Sequence, residues 1–194
     1  MNTRRLTLII IFVALTVALN VAGPKIPAPY APFLIYQIWE IPIVVAFLAM
    51  GPRVGVIITV INALILFAVF PGALPTGPLY NLVAVLAMFI GIYLPYKLAT
   101  RRRSTENLSS YMKQHFKLIS TSATALGIVF RIIITTPTNY VALQLPYPFG
   151  FGLNSGGAIA LLPLIAVFNA TVALYTIPIA LAVSVAVLAR FKMQ

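Results

Sequence analysis

Glu40 and Arg131 have the chemistry hardest to reconcile with their surroundings, because each lies inside an otherwise apolar run. A charge at the centre of a hydrocarbon core costs about 3 kcal/mol even on the mildest scales. Two readings follow: an ion pair joining two helices, or a polar cavity lined by one or both residues. The only other acid, Glu106, sits in a cation-rich polar stretch and is expected to be solvated. With two acids, one histidine and no cysteine, the chain is poorly equipped for acid–base, metal or thiolate chemistry. His115 lies between Lys113 and Lys117 and reads as a solvated residue. There is no HExxH, no aspartate pair and no GxxxxGK[ST] phosphate loop, so metalloprotease, aspartyl-protease and ATPase readings fail on missing residues. No enzymatic activity and no metal site are expected.

Amides are the next chemical signal. Asn62, Asn81, Asn139 and Asn169 fall on four different expected helices. Hydrogen bonds between helices would account for any one of them. Near outer helix ends they could also converge on a ligand, since small-molecule sites are apolar with a few placed polar groups. Asn139, followed by Tyr140 at the mouth of a loop, favours the ligand role.

The elements that must position these groups are membrane helices. Hydrophobic residues make up 61% of the 194-residue chain and charged residues 8%, against about 25% charged in soluble proteins. The net charge of +11 is dispersed in short clusters between apolar runs, which fits membrane topology and excludes a nucleic-acid face. Apolar runs, the second of them short and compensated by neighbouring helices or bilayer thinning, place helices near 6–23, 38–50, 53–70, 78–99, 116–141 and 157–189, a single all-α bundle of six transmembrane helices. The first run, opened by Arg4 and Arg5, has the look of a signal peptide with a weak cleavage site near Ala22, but the later spans favour a retained helix. The runs are too long and too uniformly apolar for a β-barrel.

With both termini cytoplasmic, eleven of the thirteen Lys and Arg residues fall on the inner side, leaving Lys25 outside and Arg131 within a helix. The outer side then receives three loops rich in Pro, Gly and aromatic residues: 23–36, 71–78 and 144–157. Their rings, among them Tyr30, Phe33, Tyr36, Tyr147, Phe149 and Phe151, suit either an interfacial belt or the walls and lid of an outward-facing pocket for a flat, partly apolar ligand. On the first helix Ala14, Ala18 and Ala22 stack along one face at a spacing of four, which lets another helix approach closely, from within the bundle or from a partner.

Several local patterns, in order along the chain, give a family resemblance. They are Leu34-Ile35-Tyr36-Gln37-Ile38-Trp39-Glu40-Ile41-Pro42, Gly51-Pro52-Arg53-Val54-Gly55 followed by Asn62, Gly77 with Asn81, Arg131 with Asn139-Tyr140 and Pro146-Tyr147, and Phe168-Asn169. Together they resemble the substrate-binding S components of energy-coupling-factor vitamin transporters, within them the riboflavin-specific members. Gln37 and Trp39 stand where that family often carries Asp and Ser, and Ile61 and Val172 stand where lysines are expected. The resemblance implies a vitamin-capture subunit in the cell membrane that binds riboflavin as transported ligand, not cofactor. Its implied ligand contacts are Asn139, Asn169, Asn81, Tyr140, Tyr36, Glu40 and Arg131. It further implies docking through Ala14, Ala18 and Ala22 onto a transmembrane coupling subunit driven by two ATPase subunits, and tipping in the membrane to release ligand inside. An S component for another ligand, such as thiamine or a modified flavin, is the nearest alternative. A structural or assembly membrane protein, and last a membrane-embedded enzyme, are the others.

Overall fold

The computed structural model describes residues 3–70, 72, 74–101 and 105–190. Arg102, Arg103 and Lys192 lie outside these residues, and so does the side chain of Glu106. The element order is α1 (Thr3–Ala22), β1 (Ile26–Ala28), β2 (Ala31–Tyr36), α2 (Glu40–Met50), α3 (Pro52–Val69), α4 (Gly77–Thr100), α5 (Thr105–Gln114), α6 (Phe116–Gln144) and α7 (Ser155–Arg190). Five of these seven helices, α1, α3, α4, α6 and α7, are long and apolar enough to cross a membrane.

The second expected span, already short in the sequence, is shorter still. Helix α2 has 11 residues, about 16 Å at 1.5 Å per residue, roughly half of a hydrocarbon core near 30 Å. The reason is where it starts. Glu40, its first residue, is paired with Arg131, which lies halfway along α6, so α2 runs only from mid-bundle to the Gly51-Pro52 turn. It is buried without a break from Pro42 to Leu48, as expected of a helix surrounded by others.

Two further elements were not expected. The 23–36 segment is an antiparallel hairpin, with Ile26 opposite Tyr36, Pro27 opposite Ile35 and Ala28 opposite Ala31, and a register shift between Pro27 and Ala28. Pro24, Pro27, Pro29 and Pro32 prevent continuation of the helix. Residues 33–36 then alternate, Phe33 and Ile35 exposed, Leu34 and Tyr36 partly buried. The polar stretch 101–115 contains α5, which buries Leu108 and Met112, four residues apart, and packs against α7.

The most extensive packing joins α4 to α6 and α6 to α7. A Cβ on Gly91 of α4 would strike the Leu126 carbonyl and lie 2.6 Å from the Gly127 nitrogen of α6. This crossing therefore requires glycine, as close helix approaches in membranes do. Hydroxyls in the apolar helices bond to the carbonyl four residues back, as in Thr16 to Phe12, Thr59 to Gly55 and Ser184 to Ala180, each at 2.7 Å. Opposite the hairpin, Arg5 donates to the Met50 carbonyl at 3.2 Å and ties α1 to the α2–α3 turn. Arg4, Arg53, Lys97, Lys113, Lys117 and Arg190 are exposed at that same end.

Candidate ligand-binding site

The hairpin lies along α7 with its inner face against the helix. Leu34 packs with Leu143, Ala158 and Ile165, a small apolar cluster joined by Tyr140, Leu153 and Leu161. Two residues further, the Tyr36 ring stacks on Phe168 with centroids 4.9 Å apart and meets Tyr175 edge-on at 6.3 Å. The Tyr36 hydroxyl shares hydrogen bonds with Tyr30 and Thr171, both 2.7 Å. Burial, and then the bond to Tyr36, raises the Tyr30 phenol above its ordinary value of 10.0. At the stem, Tyr175 donates to the Gln37 carbonyl at 2.6 Å. The hairpin is thus fastened to α7 at three levels.

The other two expected outer loops join each other. The Thr76 hydroxyl lies 3.0 Å from the Pro148 carbonyl and 3.2 Å from that of Phe149, and Tyr80 donates to Phe149 at 2.6 Å. The 146–153 segment folds back on α6 through Gly152 to Leu145 and Leu153 to Leu143, at 2.8 and 2.9 Å. Tyr140 bonds to Ser155 across the same turn at 2.9 Å. Tyr147, Phe149 and Phe151 point outward and are exposed, in keeping with an interfacial belt for these three rings.

Beneath the hairpin lies a closed polar network. Arg131 reaches Glu40 with both terminal nitrogens, Nη1 to Oε2 at 2.5 Å and Nη2 to Oε1 at 2.9 Å. Its Nε donates to Asn169 Oδ1 at 2.9 Å, and Asn169 returns an N–H to the Ile165 carbonyl at 3.0 Å. The Met88 sulfur lies 3.6 Å from Nη1. Glu40 is 4% exposed, Arg131 2% and Asn169 5%. The ion-pair reading of the two buried charges is therefore formed, in the bidentate geometry that gives such pairs their strength.

The asparagines do not converge. Asn169 belongs to the network, while Asn139 donates to Thr135 on its own helix at 2.7 Å and leaves its amide oxygen unengaged among the described residues. Asn81 is exposed at the start of α4. Asn62 is buried on α3, and its side-chain oxygen has no partner among the described residues. His115 is half-buried, stacked on Tyr111 at 4.2 Å and bonded to its carbonyl at 3.1 Å, so packing rather than solvation holds it.

A cavity of about 460 Å³ opens at the hairpin stem, lined by Pro24, Ile26, Tyr36, Gln37, Ile38, Thr171 and Tyr175. It is an open cleft whose volume falls within the range of small-molecule sites, with aliphatic and aromatic walls and few polar groups. Sequence reasoning found Tyr36 but passed over Gln37, Thr171 and Tyr175. Gln37 was noticed only as a family departure, and nothing local marks the α7 residues, whose contribution depends on the hairpin lying against them.

Neither the family models nor the curated proteins searched contain a match to this sequence. A solved structure described as "Structure and mechanism of the S component of a bacterial ECF transporter" superposes with a TM-score of 0.73 over 100% of both chains, at 22% identity. The hairpin-capped bundle thus has the fold of an energy-coupling-factor S component.

Proposed function

We propose that this chain is the substrate-capture subunit of an energy-coupling-factor importer, and that its ligand is riboflavin. The observation that carries this reading is the likeness in fold to a transporter S component over the full length of both chains. The hairpin end faces the exterior, which places the exposed cations and both termini in the cytoplasm. The stem cavity is walled by Tyr36 and Tyr175, rings against which a flat ligand can pack, and the Gln37 amide oxygen can meet its polar edge. Asn139, Tyr140 and Asn81 lie outside the lining of this cavity and meet the ligand only where it extends beyond the stem. The Glu40–Arg131–Asn169 network meets the ligand only through groups not already paired, so its main part is to hold α2, α6 and α7 in register below.

The chain does not power transport itself. Ala14, Ala18 and Ala22 are exposed on α1 and line a groove of about 550 Å³ shared with α3. Through this face the chain docks onto a transmembrane coupling subunit served by two ATPase subunits.

The test is a flavin-fluorescence quenching titration on detergent-purified protein, with its visible spectrum recorded as isolated. Saturable one-to-one quenching is expected, weakened about ten-fold or more by Tyr36→Ala, equivalent to ~1.4 kcal/mol. Saturable binding of thiamine but not flavin would change the ligand and keep the class. A melting temperature indifferent to every vitamin would remove the capture reading. Ala18→Trp is expected to stop uptake in cells holding the partner subunits while leaving quenching unchanged; loss of quenching with uptake intact would contradict the docking assignment.

A further inference from the structure

We propose that the foot of the α1–α3 groove is a binding site for an anionic phospholipid. One acyl chain lies in the groove and the headgroup phosphate is held between Arg5 and Arg53. The groove residues of α1 recur at helical spacing, Ile9, Val13, Val17 and Val21 forming one row. Arg5 is the next member of that row, one turn below Ile9. On α3 the groove is walled by Ile61 and Ile65, and Arg53 stands two turns below Ile61 in the same four-residue row. Each wall is therefore continued, beyond its lining residues, by an arginine at the same end of the bundle. The bond from Arg5 to the Met50 carbonyl brings the α1 foot beside the turn from which Arg53 departs, and Arg5 retains further donors. Both arginines are exposed.

The charge pattern selects the occupant. Both acids of the chain are elsewhere: Glu40 is committed to Arg131 inside the bundle, and Glu106 belongs to the α5 segment. No carboxylate on α1 or α3 neutralises the two guanidiniums, because neither helix contains one. An apolar channel running toward two cations that no carboxylate among the described residues neutralises fits a molecule with a hydrocarbon tail and a phosphate head. The groove follows α1 from Leu6 to Ala22, about 24 Å at 1.5 Å per residue. That exceeds the ~15 Å of one leaflet's hydrocarbon, so a single lipid covers α1 up to roughly Thr16, Ala14 included, and leaves Ala18 and Ala22 open. The site would exist whether or not the chain captures a vitamin.

Native mass spectrometry of the full chain in detergent, titrated with phosphatidylglycerol or phosphatidylcholine of identical acyl chains, tests this. A preference for phosphatidylglycerol on the order of ten-fold is expected, from the ~1 kcal/mol that each basic residue contributes near an anionic lipid. Arg53→Gln alone should remove much of it, and Arg5→Gln with Arg53→Gln nearly all. Arg190→Gln, at the same end but away from the groove, should leave it unchanged. Trp39 fluorescence melting checks that each variant is folded, and Arg53→Gln, which breaks no bond seen among the described residues, keeps the test decisive if the double variant unfolds. The proposal is overturned by equal affinity for the two lipids, by a preference surviving Arg53→Gln, or by an equal loss in Arg190→Gln. Displacement of the lipid by millimolar glycerol phosphate would also overturn it, since it would show a site for a free phosphate.

Discussion

Replacing Arg131 with Met tests the buried network directly. Met has similar reach and leaves little cavity, so the loss is mainly electrostatic. The Glu40 carboxylate, 4% exposed, loses both of its guanidinium donors, and Asn169 Oδ1 loses its Nε partner. Breaking a buried pair by removing one member costs about 3–5 kcal/mol, because the remaining charge is left uncompensated. Taking roughly 4 kcal/mol, and a shift of about 2–4 °C per kcal/mol for a chain of this size, the melting temperature should fall by ~8–16 °C.

The assay is built into the chain. Trp39 is the single tryptophan, is 4% exposed, and directly precedes Glu40, so its fluorescence reports loss of this region on heating in detergent. The double variant Glu40→Met with Arg131→Met should recover most of the loss, because no stranded charge remains. Arg131→Lys should fall between, keeping the charge but losing the fork that engages two residues at once. Additivity of the two single variants within about 0.5 kcal/mol would refute the pairing, as would an Arg131→Met protein melting within about 2 °C of the parent, well short of the ~8–16 °C expected.

Gly91→Ala should lower stability by about 1–3 kcal/mol, because the new methyl meets backbone of α6 that cannot step aside; Gly127→Ala, which meets only the tip of Ile177, should cost less, and thermal melts of the two variants check the order. Tyr36→Phe removes the hydroxyl that links Tyr30 to Thr171 and leaves the Phe168 stack, so about 1 kcal/mol of local stability should be lost. Hydrogen exchange should then quicken in residues 26–36 and stay unchanged in α4 and α6.

What the sequence made legible follows from the physics of each signal. The five long helices begin and end within three residues of their hydropathy-drawn limits, since lipid requires a continuous apolar run and Gly or Pro marks where it stops. The Glu40–Arg131 pair was legible because two buried charges in one chain have few alternatives. Helix α5 was hidden by its composition: ten mostly polar residues carry only Leu108, Tyr111 and Met112 as an apolar stripe. The hairpin was hidden by its prolines, which read as loop and place few backbone donors in a ladder. The Asn residues illustrate a different limit. An amide in a membrane helix can donate to its own helix, as Asn139 does to Thr135, so residue type alone does not say which way it reaches.

The shortness of α2 links the lid to the core. Since Glu40 is held at mid-bundle by Arg131, the chain must descend from the hairpin to that depth without a helix above it, and it does so in three residues, Gln37, Ile38 and Trp39. Gln37 is clasped by Tyr175 and Trp39 is buried, so the connection has little slack. A movement of the hairpin away from α7 therefore pulls on the first turn of α2 and on the carboxylate it carries. Conversely, a ligand that wedges between Tyr36 and Tyr175 acts on the same three residues. The buried ion pair and the stem cavity, separate by chemistry, are thereby one mechanical unit, joined by Gln37, Ile38 and Trp39.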